Sequence, residues 1–513
     1  MKNYAIALVC LLIASSCSAN IFNGDWNDTL FGDSCCYLEE THSRSFMITR
    51  SIANNLCVNN NWWLDILYNK KGPLLSGAQI IAAYQHSMPD EKTARYFLFK
   101  SKNNILVSGS GNTSDTLTRD IMAEWIGLGT LTNDPTKRAA NTFRGGFTLN
   151  PVQQQMGILF EYKKDLRGVF EWSFFDDSWV GVFAPITVVS NNLQLCEFDV
   201  INRPTTGPHD IIEAMDQPSW AYNRIAGQRS TLRLSDLQFK FGKAFLFQDH
   251  FILGYYSLIS FPTGNRQNPG YLFDAVAGNN GHLAFGSGVN MQIPLNRDLS
   301  SYAISLFVDL EAQFLLHNTQ FRTVDLRGKP WSRYMQFVRN DSPVNATIPG
   351  VNVLTVEVLV HPYSIVDFSG GLRITSEPIE FEIGYDIWGH PQEYLYLRCP
   401  FPEDRYGIAS GNEAPTVAGT APTASQSTIK TLAPVDVDGD DNPTFVSIKQ
   451  GDLDLQSGAA QSTLNQKIHA SISFLHIGKN RDGFINIGAF YDVPYRNTAL
   501  TNGAVWIKFG TSF

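Results

Sequence analysis

Long stretches of this chain alternate strictly between apolar and polar residues. From Tyr302 the even positions read Tyr302, Ile304, Leu306, Val308, Leu310, Ala312 and Phe314, while the odd ones read Ala303, Ser305, Phe307, Asp309, Glu311 and Gln313. Further on, Ile379, Phe381, Ile383, Tyr385 and Ile387 alternate with Glu380, Glu382, Gly384, Asp386 and Trp388. Leu237, Phe239 and Phe241 alternate with Asp236, Gln238, Lys240 and Gly242, and Ile468, Ala470, Ile472 and Phe474 with His469, Ser471 and Ser473. The chain ends in the same way, with Val505, Ile507, Phe509, Thr511 and Phe513 on one side and Trp506, Lys508, Gly510 and Ser512 on the other. A period of two marks a strand that shows one face to oil and the other to water.

The length of these runs separates two readings. Strands of soluble domains are about five or six residues long, whereas a tilted strand crossing a bilayer needs about 9–11. Several runs here reach ten or more, and their polar faces carry full charges in mid-strand, which must meet water. The fold expected is therefore all-β: a closed antiparallel transmembrane β-barrel of about 12–16 strands with long loops. Closure follows from the solvent, because an unpaired backbone group in hydrocarbon costs several kcal/mol and the last strand must pair with the first. A secreted soluble β-protein with its polar face outward is the competing reading.

Strands are expected near 78–87, 93–109, 142–149, 153–165, 167–176, 178–190, 230–243, 246–261, 280–293, 301–316, 353–362, 364–376, 378–390, 466–477, 483–491 and 503–513. "SDTLTRDIMAEWIGLG" interrupts them with Leu117, Ile121, Trp125 and Leu128 at helical spacing behind Asp115. It predicts a short helix packed on the barrel mouth, or one constricting the pore. Long loops are expected near 191–228, with a helical turn, and 391–465. The Pro, Ala, Thr and Ser-rich stretch beginning at Glu413 predicts a mobile exposed loop in the second. Residues 20–75 are irregular and suit a plug, a periplasmic extension or an early strand; the barrel occupies 76–513. Tyr385, Trp388, Tyr394, Tyr396 and Tyr491 are candidates for aromatic girdles at the lipid boundary.

Residues 1–19 have the layout of a secretory signal peptide: Lys2, an apolar run from Tyr4 to about Ala14, and small residues up to Ala19, where cleavage is expected. Cys17 as a lipid acceptor is the alternative. Removal of Cys10 and Cys17 would leave Cys35, Cys36, Cys57, Cys196 and Cys399, an odd number in an oxidising compartment. A bridge from Cys57 to Cys35 or Cys36 would staple the N-terminal segment. No CxxC pair and no zinc-type spacing is present, so neither a metal nor a cofactor is expected. The acidic run Asp436, Asp438, Asp440 and Asp441 departs from the EF-hand pattern and predicts a solvated loop rather than a calcium site. HExxH, GxSxG and Walker-type motifs are missing, so no enzyme is expected. The net charge of −9 speaks against nucleic acid as a partner.

The final strand resembles the closing strand of bacterial outer-membrane β-barrels. Val505, Ile507, Phe509 and Phe513 match the signal read by the barrel-assembly machinery, with Thr511 a milder fit. The stretch "FPTGNRQNPGYLFDAVAGNNGHLAFGSGV" resembles hairpins of hydrocarbon and fatty-acid uptake barrels. These likenesses imply the outer membrane of a Gram-negative-type bacterium, with outer-membrane lipid and the assembly machinery as partners; the oligomeric state stays open.

The inward faces should carry Asp236, Lys240, Asp309, Glu311, Arg373, Glu380, Glu382, Asp386 and Lys508. Such charges need water or one another, so they line a conducting pore of mild cation preference or form a salt-bridged network sealing a narrow barrel. The expected function is a passive, porin-like channel for small solutes. Two alternatives are a structural or adhesin-like surface barrel, and uptake of apolar molecules through a lumen pocket lined by Phe, Leu and Trp.

Overall fold

The computed structural model describes residues 43–59, 76–166, 177–247, 251–296, 302–340, 347–411, 422–435, 444–477 and 482–513, together with Val169 and Phe175. Twelve strands form the wall. In chain order they are β1 (Ser76–Ser87), β2 (Val152–Asp165), β3 (Ser178–Asn192), β4 (Leu237–Phe247), β5 (Phe251–Phe261), β6 (Ala284–Pro294), β7 (Ala303–Leu315), β8 (Ser364–Ser376), β9 (Ile379–His390), β10 (Thr463–Ile477), β11 (Asp482–Pro494) and β12 (Asn502–Ser512). Each pairs antiparallel with its neighbours in sequence, and β12 returns to β1 with Phe509 opposite Ile80, so the sheet has no open edge. The bare C-terminal phenylalanine thus follows the strand that completes the ring, where the Phe513 backbone N–H donates to the Ser76 carbonyl.

The alternation resolves into two surfaces. Ile383, Phe381, Leu310, Ile487, Val505 and Phe509 are exposed on the outside, while Glu380, Glu382, Asp309, Asn486 and Lys508 are buried within. A small protein core cannot account for an apolar belt turned outward; a bilayer can. Tyr385 and Tyr491 belong to the outer surface, but Trp388 turns inward and is buried, and Tyr394 lies beyond the end of β9.

Connections are short at the end where β12 finishes and long at the other. Segments 88–151, 193–236, 316–363 and 391–462 leave the long-loop end and fold together into a cap with its own apolar core, including Phe97, Trp125, Phe147, Trp220, Trp331 and Tyr334. Here several expectations give way. The 93–109 strand is a helix at Glu91–Phe97, capped by Asp90, followed by a short strand at Ile105–Ser108. The segments near 142–149 and 353–362 do contain strands, Arg144–Thr148 and Thr355–His361, but these pair within the cap. The span 230–243 divides between Arg229–Leu234, which pairs with the upper half of β3, and β4.

The predicted mouth helix is replaced by two single 3₁₀ turns, Thr113–Asp115 and Ala123–Ile126. Leu117 is 97% exposed whereas Trp125 is buried, so the apolar residues at helical spacing do not share a face. Asp115 instead accepts from Ser108 Oγ at 2.9 Å and pairs with Arg144. The Pro-rich stretch also departs from expectation: Thr423, Ala424, Ser427 and Ile429 are buried, and the Ile429 carbonyl accepts the Met122 N–H. Low-complexity sequence packs there because the other loops supply the core it lacks. The acidic run and most of 167–176 lie outside the described residues, as do the signal-type leader, Cys35 and Cys36.

Candidate functional site

The lumen is occupied by the chain's own N-terminal segment. Residues 43–59 begin in the cap, where Ser43 donates to Asp325 at 2.7 Å and receives a hydrogen bond from Arg333 at 2.6 Å. Tyr96 Oη donates to the Phe46 carbonyl at 2.6 Å. Lower down, Arg50 pairs with Asp367 of β8, and its guanidinium lies 5.6 Å from the Trp388 ring. The Ile52 N–H donates to Gln155 Oε1 of β2 at 2.8 Å. The segment ends in one helical turn, α1 (Leu56–Asn59), where Lys467 of β10 binds Asn55 and Lys508 of β12 donates to the Cys57 carbonyl at 3.4 Å. Within the ring the polar anchors are groups on inward strand positions, and Ile52, Ala53, Cys57 and Val58 pack against Ile81, Leu159, Phe183, Phe490 and Trp506, so the wall holds the segment by hydrogen bonds, charge and apolar contact rather than by backbone pairing.

The strand register explains the densest part of this lining. Gly384 faces His469 across β9 and β10, and a Cβ at Gly384 would collide with the imidazole. The glycine therefore makes room for the ring. Glu382 and Asp386, two positions to either side, become its diagonal neighbours. His469 Nδ1 lies 3.2 Å from Asp386 Oδ1, and Nε2 lies 3.5 Å from Glu382 Oε1. Arg373, opposite Glu382 on β8, reaches it at 2.8 Å and Glu380 at 3.6 Å. It also donates to Gln292. Lys467 stands 3.7 Å from Asp386. On the far wall Lys240 pairs with Glu311 at 3.3 Å, and Glu311 accepts from Tyr256 at 2.6 Å.

Of the sequence-derived lumen residues, Arg373, Glu380, Glu382 and Asp386 come together in one network, and Lys240 and Glu311 in another. Lys508 meets α1, and Asp309 is buried on the inner face of β7. Asp236 sits at the rim, where the Asn279 N–H donates to it at 2.6 Å. Residues that pattern reading missed are Arg50, Asn55, Gln155, Asp367, Lys467 and the inward role of His469. The last two stood on the polar side of an alternating run, so a signal existed; Arg50 and Asn55 lie in a segment without any period. Cys57 is buried and free, while Cys196 and Cys399 are exposed.

Where the segment passes the mouth it borders a small open cavity of about 50 Å³. Phe46, Ile48, Leu272, Phe273 and Trp388 contribute apolar surface, and Arg50 and Asp367 a charged end. The loop on its outer side is held to the cap through His282, whose Nδ1–H donates to the Leu316 carbonyl at 2.7 Å while Nε2 accepts from Gln320 at 3.1 Å. Burial pushes its pKa down to about 4, and Arg322, Arg266 and His317 nearby act in the same direction. A free histidine titrates near 6.5, so between about 4 and 6.5 the opened loop binds more protons than the closed one. The stabilisation is complete above that window and is lost as pH falls through it. The contribution of His282, read as the ratio of the exchange rates of wild type and His282→Gln, should accelerate hydrogen exchange of residues 262–283 on the order of tenfold between pH 7 and pH 5, after correction for intrinsic rates. Asp236, whose pKa burial raises to about 7, changes in the opposite sense. The comparison is therefore wild type against His282→Gln, in which this acceleration should vanish.

No family model and no curated protein sequence matches the chain. Among solved structures it is similar to the Pseudomonas putida toluene transporter TodX, at 8% identity over 92% of this chain and 96% of that one, with a TM-score of 0.27. It is similar to a Pseudomonas aeruginosa FadL homologue at 7% identity over 86% and 90%, TM-score 0.26. The transport unit of the autotransporter AIDA-I from Escherichia coli follows at 8% identity over 90% and 97%, TM-score 0.22. The architecture of the present chain rests on its own pairing: a closed transmembrane barrel of twelve antiparallel strands.

Proposed function

We propose that the protein is a gated outer-membrane channel for small solutes, with residues 43–59 as the gate. The observation that supports this reading is the position of that segment inside the ring, joined to the cap by backbone hydrogen bonds at Arg44 and Ser45 and fastened to the barrel wall through side chains. Its contacts at Arg50, Asn55 and Gln155 are charges and amides able to exchange partners with water, while Ile52, Ala53 and Val58 pack on apolar wall residues. Acidic groups outnumber basic ones around Asp309, Glu380, Glu382 and Asp386, which favours cations when the path is open. The outward Val505, Ile507, Phe509 and Phe513 are the surface proposed to meet the assembly machinery, and the apolar belt the surface proposed to meet outer-membrane lipid.

In planar bilayers the purified protein should show rare openings with a mild cation preference. A barrel that stays silent even when the segment is loosened would remove the channel reading and leave a structural or surface-interaction role for the cap. A second reading, uptake of apolar molecules, draws on the cavity beside Phe46 and Trp388. Its charged end suits a ligand with an apolar body and one polar group.

A further inference from the structure

Cys57, Asp386 and His469 come from three separate parts of the chain: α1, β9 and β10. Their ligating atoms lie within 4.8 Å of one another, and all three residues are buried. Both oxygens of Asp386 and both ring nitrogens of His469 are buried and, among the described residues, hydrogen-bonded to nothing. They are held only at ion-pair distances. Leaving four such atoms without a directed partner is costly.

We propose that these three residues bind a zinc-class divalent cation that fastens the N-terminal segment to the barrel wall. The donor set decides the class. A thiolate, an imidazole and a carboxylate suit zinc and its borderline neighbours, and do not suit calcium or magnesium. The geometry agrees. With metal–ligand bonds of about 2.0 Å to nitrogen and oxygen, two corners of a tetrahedron stand roughly 3.3 Å apart; His469 Nδ1 and Asp386 Oδ1 stand 3.2 Å apart. The sulfur is the ligand that must close, and its helical turn has no backbone-to-backbone hydrogen bond to the wall among the described residues, the Cys57 carbonyl being held by Lys508 Nζ at 3.4 Å.

The outer shell is also in place. With Nδ1 on the metal, the other ring nitrogen carries its proton toward Glu382 Oε1, at 3.5 Å, and Arg373 grips Glu382 through Nε at 3.1 Å and Nη2 at 2.8 Å. A carboxylate behind a metal-bound histidine fixes its tautomer and orientation. Lys467 is a cation that competes, 3.7 Å from Asp386 and 4.0 Å from the Cys57 sulfur. It also holds Asn55 and faces Asp492 across β10 and β11, so it keeps partners when the metal enters. Binding releases two protons to solvent, that of the thiol and that of His469 Nδ1, which faces Asp386 before the metal enters; the thiolate and the Asp386 carboxylate together balance the two positive charges of the cation.

The test uses the full chain in detergent, with every cysteine other than Cys57 (Cys10, Cys17, Cys35, Cys36, Cys196 and Cys399) changed to serine, stripped with a chelator and titrated with cobalt(II). One equivalent should produce a thiolate-to-cobalt charge-transfer band and the visible bands of a tetrahedral ion, both lost on adding zinc. Cys57→Ser should abolish the charge-transfer band, and Glu382→Gln should weaken binding about 10–100-fold without removing it, heat-modifiable gel migration reporting the intact barrel. If Cys57→Ser fails to fold, His469→Gln serves in its place and should abolish the tetrahedral bands. A folded protein that gives no band at one equivalent, or a band that persists in Cys57→Ser, overturns the proposal.

Discussion

Replacing Arg50 with alanine should convert a mostly closed barrel into one that opens at least ten times as often. The Arg50 side chain is 4% exposed and that of Asp367 8%, so the substitution strands a carboxylate inside the lumen. Breaking a buried pair in this way costs about 3–5 kcal/mol. Only a part of that falls on the equilibrium between seated and displaced segment, but about 1.4 kcal/mol already corresponds to tenfold. Asp367→Asn should act in the same direction, while the double change Arg50→Met/Asp367→Leu, which removes both charges, should return toward wild-type behaviour. Open probability in planar bilayers reads all three. Equal open probability in wild type and Arg50→Ala would mean that the segment is part of a static core.

The second large effect concerns the outer wall. Ile383 lies in the middle of β9 with its side chain 46% exposed on the apolar belt. Ile383→Arg should destabilise the barrel by about 2–4 kcal/mol, the cost of a cation at the bilayer midplane, whereas Ile383→Leu should cost less than about 1.5 kcal/mol. Guanidinium titration of the protein in lipid vesicles, followed by heat-modifiable migration, measures the difference. Were Ile383→Arg neutral, the outer surface would be facing water.

The wall was legible and the cap was not, for a reason visible in particular residues. Phe381 and Glu382 report their surroundings one at a time, because a strand between lipid and a polar lumen has a different solvent on each side and only two positions per repeat. Phe97, Leu98 and Phe99 are all buried in the cap. A residue wrapped on every side by other loops carries no period, so the run beginning there read as strand although its first part is helical. The same applies to Leu117 and Trp125, where helical spacing arose in a segment that turns twice and never completes a helix. Gly384 shows how far local reading reaches: it lies on the predicted inner face, but only its pairing with His469 explains why a side chain is excluded.

The inner network divides along the same line. The carboxylates of β9 announced themselves by alternation. Their partners Arg373, Lys467 and His469 arrive from two other strands, and Arg50 and Cys57 from a segment with no pattern at all. The sequence by itself determined the strand type, the face each wall residue presents and the need for closure, since these follow from a two-solvent environment acting residue by residue. The tertiary structure alone decided that there are twelve wall strands, that the loops at one end share one core, and that the lumen is filled from within. Those depend on contacts between distant segments, and the free energy of such a contact belongs to neither segment alone.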